Sequence, residues 1–148
     1  MNMLGMAVVA VLMALAGLHV YWGLGGLWPG TTEPDLLARV VGLRRGAMPG
    51  RGACFAVALA LLSAAYIVAV PRGAPPLGLP GAVWIVGYWS VGLVFLLRGI
   101  AAYVPGVFSY AIGTPFYDLN RHYYAPLCLA IAAAMAISCA RASQPGAP

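Results

Sequence analysis

Lysine is absent from this sequence, and acids nearly so: the 148 residues hold eight basic side chains, every one arginine, and three acids, Glu33, Asp35 and Asp118. Charged residues make up 7% of the chain, against about 25% in a soluble domain. That scarcity excludes a globule wetted on all sides. Metal-binding and redox patterns are missing too. Cys54, Cys128 and Cys139 form no CxxC pair and no Cys-His spacing, and their odd number argues against a disulfide framework. They read as small packing residues in apolar segments. The two histidines, His19 and His122, are not in an HxxxH arrangement. No nucleotide-binding loop or haem motif is present. We therefore expect no cofactor and no metal. The net charge of +5 raises nucleic acid as a partner, but no basic stripe interleaved with aromatics exists, so that partner is not expected.

What is present is apolar: 63% of the residues are hydrophobic. A membrane helix needs roughly 20 mainly apolar residues to cross about 30 Å of hydrocarbon. Four runs come close, at about Leu4 to Leu24, Cys54 to Val70, Gly81 to Tyr103 and Tyr124 to Ala140. The expected fold is an all-α integral membrane bundle of four transmembrane helices in one domain over residues 1–148. The first run has no basic residue before it and ends in bulky Tyr21 and Trp22, unlike a cleaved signal peptide, so it reads as a retained helix. Within the first loop, Glu33 to Leu43 has mixed helical character. Thr32 is placed to cap it and Pro34 falls in its first turn. This predicts a short amphipathic helix at the membrane surface.

The arginines set a topology. Arg39, Arg44, Arg45 and Arg51 follow the first run, Arg98 lies near the end of the third, and Arg121 precedes the fourth; only Arg72 and Arg141 fall on the other side. Basic residues flanking helices favour the cytoplasm. This predicts a multi-pass protein of the bacterial cytoplasmic (inner) membrane with both termini outside.

Four crossings also bring the polar residues together. His19 and Trp22 end the first helix, Arg98 and Tyr103 end the third, and Asp118, Asn120, Arg121, His122, Tyr123 and Tyr124 open the fourth. All collect at one end. The other half is almost wholly apolar and is expected to enclose a wide apolar cavity. Small Gly87, Ser90 and Gly92 are expected to let the third helix approach a neighbour. Pro126 is read as lying in the first turns of the fourth helix, where proline is tolerated.

Intramembrane charges usually face partners, and Asp118 is the expected partner of Arg98. Arg98 alternatively snorkels to the headgroups. His19, Asp118 and His122 are candidate proton carriers, because histidine titrates near neutral pH. Arg98, Trp22, Tyr103, Asn120, Tyr123 and Tyr124 are candidate contacts to a ligand. Each also has a plainer reading: a satisfied interfacial histidine, a helix cap, a headgroup contact or an aromatic belt. Together they suit cofactor-free isomerisation or cyclisation of a prenyl, terpenoid or sterol-like molecule. The alternative is a non-enzymatic subunit, or a small-molecule binding or transport component, of a membrane complex. Expected partners are membrane lipid, a lipophilic small molecule and a second copy of the chain.

The elements His19-Val20-Tyr21-Trp22 and Asn120 through Tyr124-Ala125-Pro126-Leu127-Cys128-Leu129 carry a resemblance. The sequence resembles a family of small bacterial four-helix membrane proteins classed as a domain of unknown function. In that family a His-x-Tyr-Trp element closes helix one and an Asn-x-x-x-Tyr-x-Pro-Leu-Cys-Leu-like element opens helix four. The resemblance implies four helices, marks His19, Trp22, Asn120, Tyr124 and Pro126, and implies no activity. At the level of layout alone the chain is also similar to sterol-isomerase-like membrane folds and small membrane terpene cyclases, without a shared motif.

Overall fold

In the computed structural model, residues 2–70 and 80–142 are described. Residues 71–79 of the proline-rich stretch from Pro71 to Pro80, Arg72 among them, and the tail from Ser143 lie outside them. The described residues form helices and connections with no strand. Among the described residues four helices are long and apolar enough to cross a membrane, and the protein is a multi-pass membrane protein.

Helix α1 runs over Met3–Gly23. At about 1.5 Å per residue its 21 residues extend about 31 Å. Asn2 caps it, its Oδ1 accepting from the Gly5 N–H at 2.8 Å. The Ser138 hydroxyl donates to the same oxygen at 3.1 Å, joining the start of α1 to the last helix. Helix α2 is the short Glu33–Val40. As the sequence predicts, the Thr32 hydroxyl accepts from the Asp35 N–H, at 3.3 Å. The helix stops at Val40 because the chain turns at Gly42, which takes φ +87°; a Cβ there would lie 2.7 Å from Ala111 and 2.8 Å from Phe116. Helix α2 is amphipathic, but its apolar face meets protein: Leu36 and Leu37 are each 1% exposed, and α2 packs on the short helix over Pro115–Leu119.

Helix α3 spans Arg51–Ala69 and α4 spans Gly81–Ala101. The fourth crossing differs from expectation. It begins at Pro115, not near Tyr124, and comprises α5 (Pro115–Leu119), one π turn (Asn120–Tyr124) and α6 (Ala125–Ala142). Together they form an apolar span over Pro115–Arg141. Pro126 is thus interior to a long helix. Proline lacks an N–H and its ring crowds the carbonyl four residues back. The π turn lies directly before it, where the hydrogen-bond ladder is already opened by one residue.

The pairs α1/α3 and α4/α6 pack most extensively, and α1/α6 and α3/α4 contacts close the ring. At the apolar end the described residues form a packed core. Val8, Leu12, Ala64, Ala65, Val68, Tyr88, Ile131 and Met135 form one buried cluster. The Tyr88 hydroxyl donates to the Met135 carbonyl at 2.8 Å, so its polar group is satisfied where water is excluded. The closest glycine approach of α4 is not at Gly87 or Gly92 but at Gly99. A Cβ there would lie 2.7 Å from Leu129 Cδ2 and 3.2 Å from the Ala125 carbonyl oxygen.

Candidate functional site

The polar end is built from two connections that fold over the bundle. In the first, Trp22 at the end of α1 donates its indole N–H to the Trp28 carbonyl at 2.7 Å, turning the chain towards α2. In the second, residues 102–114 carry a single 3₁₀ turn, Ser109–Ala111, and pass through Gly106 and Gly113 at positive φ. The two connections meet. The Tyr110 hydroxyl donates to the Val41 carbonyl at 3.3 Å. Arg44 donates to the Gly113 carbonyl at 2.8 Å, and the Tyr124 hydroxyl to the Arg39 carbonyl at 3.4 Å. Between them runs a chain of rings, Tyr110–Phe108–Phe116–Tyr124, with successive centroids 5.7–6.1 Å apart.

Beneath this cap lies Arg98. Its Nη2 donates to Asn120 Oδ1 at 2.9 Å, and its guanidinium carbon lies 5.1 Å from the Phe108 ring centroid. Asn120 is 1% exposed and opens the π turn. The expected Arg98–Asp118 pair does not form, and the reason is rotational. Residues two apart on a helix point about 200° apart, so turning Asn120 inward turns Asp118 outward, where it is exposed. The guanidinium is therefore held by a neutral amide. Its Nη1 is buried without an acceptor in the protein, which is costly for a charged donor.

The proposed proton carriers are engaged separately. His19 Nδ1 lies 2.8 Å from the Leu15 carbonyl oxygen, and its ring meets Trp22 edge-on with centroids 5.0 Å apart. His122 Nδ1 lies 2.9 Å from the Asp118 carbonyl oxygen. A carbonyl only accepts, so each Nδ1 carries the proton. Among the described residues no side-chain-to-side-chain hydrogen bond or ion pair joins His19, Asp118, His122 and Arg98 to one another, and no group of three or more His, Cys, Asp or Glu is placed to hold a metal ion. The ion pair that does form is in α2, where Arg39 Nε donates to Asp35 Oδ1 at 2.8 Å. The Thr31 backbone N–H, assisted by Arg39, holds the Asp35 carboxyl below its ordinary value.

Of the expected ligand contacts, Arg98 and Asn120 come together, and Tyr124 joins the cap. Tyr123 points away and is 67% exposed. Tyr103 instead donates its hydroxyl to the Arg121 carbonyl at 2.8 Å. It borders a cleft of about 230 Å³, together with Phe108, Tyr117 and Arg121, at the junction of α4 and α5. Phe108, Phe116 and Tyr117 carry much of this end and were not expected as site residues. Their crowding within one loop was the available signal.

The chain matches the sequence profile of a family described as protein of unknown function (DUF3995) over residues 12–135. It belongs to this family. The match takes in most of α1, all of α2 to α5 and most of α6, and so includes Arg98, Asn120 and the aromatic cap. No curated protein and no solved structure matches the chain.

Proposed function

We propose that this DUF3995 protein binds a lipophilic small molecule by its polar head, at the end of the bundle that the arginine distribution assigns to the cytoplasm, in the bacterial cytoplasmic (inner) membrane with both termini outside. One observation carries the reading: the half-buried Arg98 side chain, fixed by Asn120 on Nη2, has a buried and unused donor in Nη1. An acceptor oxygen on a bound molecule would complete its hydrogen bonding, and the aromatic cap supplies apolar surface around it. Binding is favoured over acid-base isomerisation or cyclisation because His19, Asp118 and His122 are each tied to a carbonyl or exposed rather than gathered.

The test is lipid analysis of the full-length protein purified in mild detergent. Extracts should contain one polar-headed lipophile near stoichiometric amount. Its recovery should fall about tenfold or more in Arg98→Met, the loss expected for one charge-assisted hydrogen bond. Methionine preserves volume, and unchanged thermal unfolding would certify the fold. Equal recovery from both proteins defeats the proposal. A catalytic role would instead require Asp118→Asn to abolish turnover of a prenyl, terpenoid or sterol-like substrate.

A further inference from the structure

A second feature of the polar end stands apart from Arg98. The Arg121 guanidinium lies between two tyrosine rings, 5.8 Å from the Tyr103 centroid and 5.6 Å from that of Tyr117. Its Nη1 donates to the Tyr117 hydroxyl at 3.0 Å, and Tyr103 fixes the Arg121 backbone. Two rings and one hydrogen bond thus orient a side chain that would otherwise sweep through solvent. The guanidinium keeps further N–H donors. The Tyr117 hydroxyl, having accepted from Arg121, keeps a proton to donate.

This group borders the cleft of about 230 Å³, whose other walls include Val104, Phe108 and Ile112 and which no acidic side chain lines. That volume is below the roughly 300–1,000 Å³ of pockets for drug-sized ligands, and suits a headgroup rather than a whole lipid. The rim is apolar and outward: Val104 and Ile112 are both exposed. Exposed apolar residues at the end of a membrane helix belong in the interfacial layer, so the cleft opens among headgroups. One oriented cation, a hydroxyl donor and no counter-charge select an anion.

We infer that this cleft binds the phosphate of an anionic membrane phospholipid, with Arg121 and Tyr117 on the phosphate oxygens and the first tail carbons against Val104 and Ile112. The inference rests on the Arg121 cleft and does not require the Arg98 reading.

Native mass spectrometry of the detergent-solubilised full chain tests it, with phosphatidylglycerol or phosphatidylcholine added at equal concentration. Wild type should retain phosphatidylglycerol preferentially. Arg121→Gln should reduce that preference about tenfold, whereas Arg45→Gln, which removes the same charge from an exposed position outside the cleft, should leave it intact. Arg98→Met should also leave it intact, which separates this site from the one proposed above. If Arg121→Gln does not purify folded, Tyr117→Phe serves: it keeps both rings, frees the guanidinium and should weaken the preference. Equal retention of the two lipids overturns the inference. So does an equal loss in Arg45→Gln, which would mark diffuse charge attraction. Displacement of the lipid by inorganic phosphate at matched concentration would show that free anion, not a lipid headgroup, is the occupant, and overturns it as well.

Discussion

The two ends of this bundle solve opposite problems with the same four helices. At the apolar end, small and branched side chains of α1, α3, α4 and α6 close on one another, and the buried Tyr88 hydroxyl there finds a backbone carbonyl. At the polar end the helices are held by connections: rings, two tyrosine hydroxyls and Arg44, which bond backbone carbonyls far along the chain. The first is mainly packed, with the Trp84 indole N–H buried and without a protein acceptor. The second leaves a guanidinium donor without a protein acceptor and a cleft beside another guanidinium. Each end thus keeps one buried donor without a protein acceptor among the described residues, and the charged one lies at the polar end.

Substitutions can break that division or sharpen it. The largest effect is expected at the apolar end. Leu12, fully buried, should cost about 2–5 kcal/mol when changed to alanine, read as denaturant unfolding in detergent, with lipid retention per folded molecule unchanged. Loss of retention would show that the two ends are coupled. Next is Gly99→Val. The added side chain meets Leu129 and the Ala125 carbonyl, so it should cost about 1–3 kcal/mol and also disturb its neighbour Arg98. Unaltered lipid retention in that variant would disconnect the α4/α6 spacing from the site. Tyr88→Phe should cost about 1 kcal/mol through the lost bond to Met135, without touching retention. The smallest effect concerns pH. Asp35 is held below its ordinary pKa of 3.8 by the Thr31 N–H and Arg39. A depressed carboxyl stabilises above its unfolded pKa, and that contribution fades as pH falls through the folded value. Proteolysis in the first loop should therefore rise slightly only below about pH 4, and Asp35→Asn should flatten that rise.

Much of this was legible in the chain. Continuous apolar runs revealed the four crossings, because a helix in hydrocarbon must be apolar on nearly every face. Thr32 announced α2 correctly, since a cap is a local contact. The start of the fourth crossing was hidden, because Asp118, Asn120, Arg121 and His122 interrupt the hydropathy that reveals the rest. Arg98 stood out by depth, but its partner did not. Choosing between Asp118 and Asn120 requires the helical phase, and a π turn changes that phase. The aromatic cap was out of reach for a different reason: Tyr110 meets Val41, and Tyr124 meets Arg39, 69 and 85 positions away in the chain.

The π turn at Asn120–Tyr124 has a bearing on how such a site arises and is lost. A π turn is an α-helix carrying one residue more than its register needs. Removing a single residue there, such as the exposed Tyr123, would restore the ordinary register and rotate α5 by about 100° against α6. Asn120 would swing off Arg98 with no change in its own identity. The pairing is thus written in the spacing of the chain as well as in its letters. An insertion or deletion of one codon at this point acts on it as decisively as substituting the asparagine.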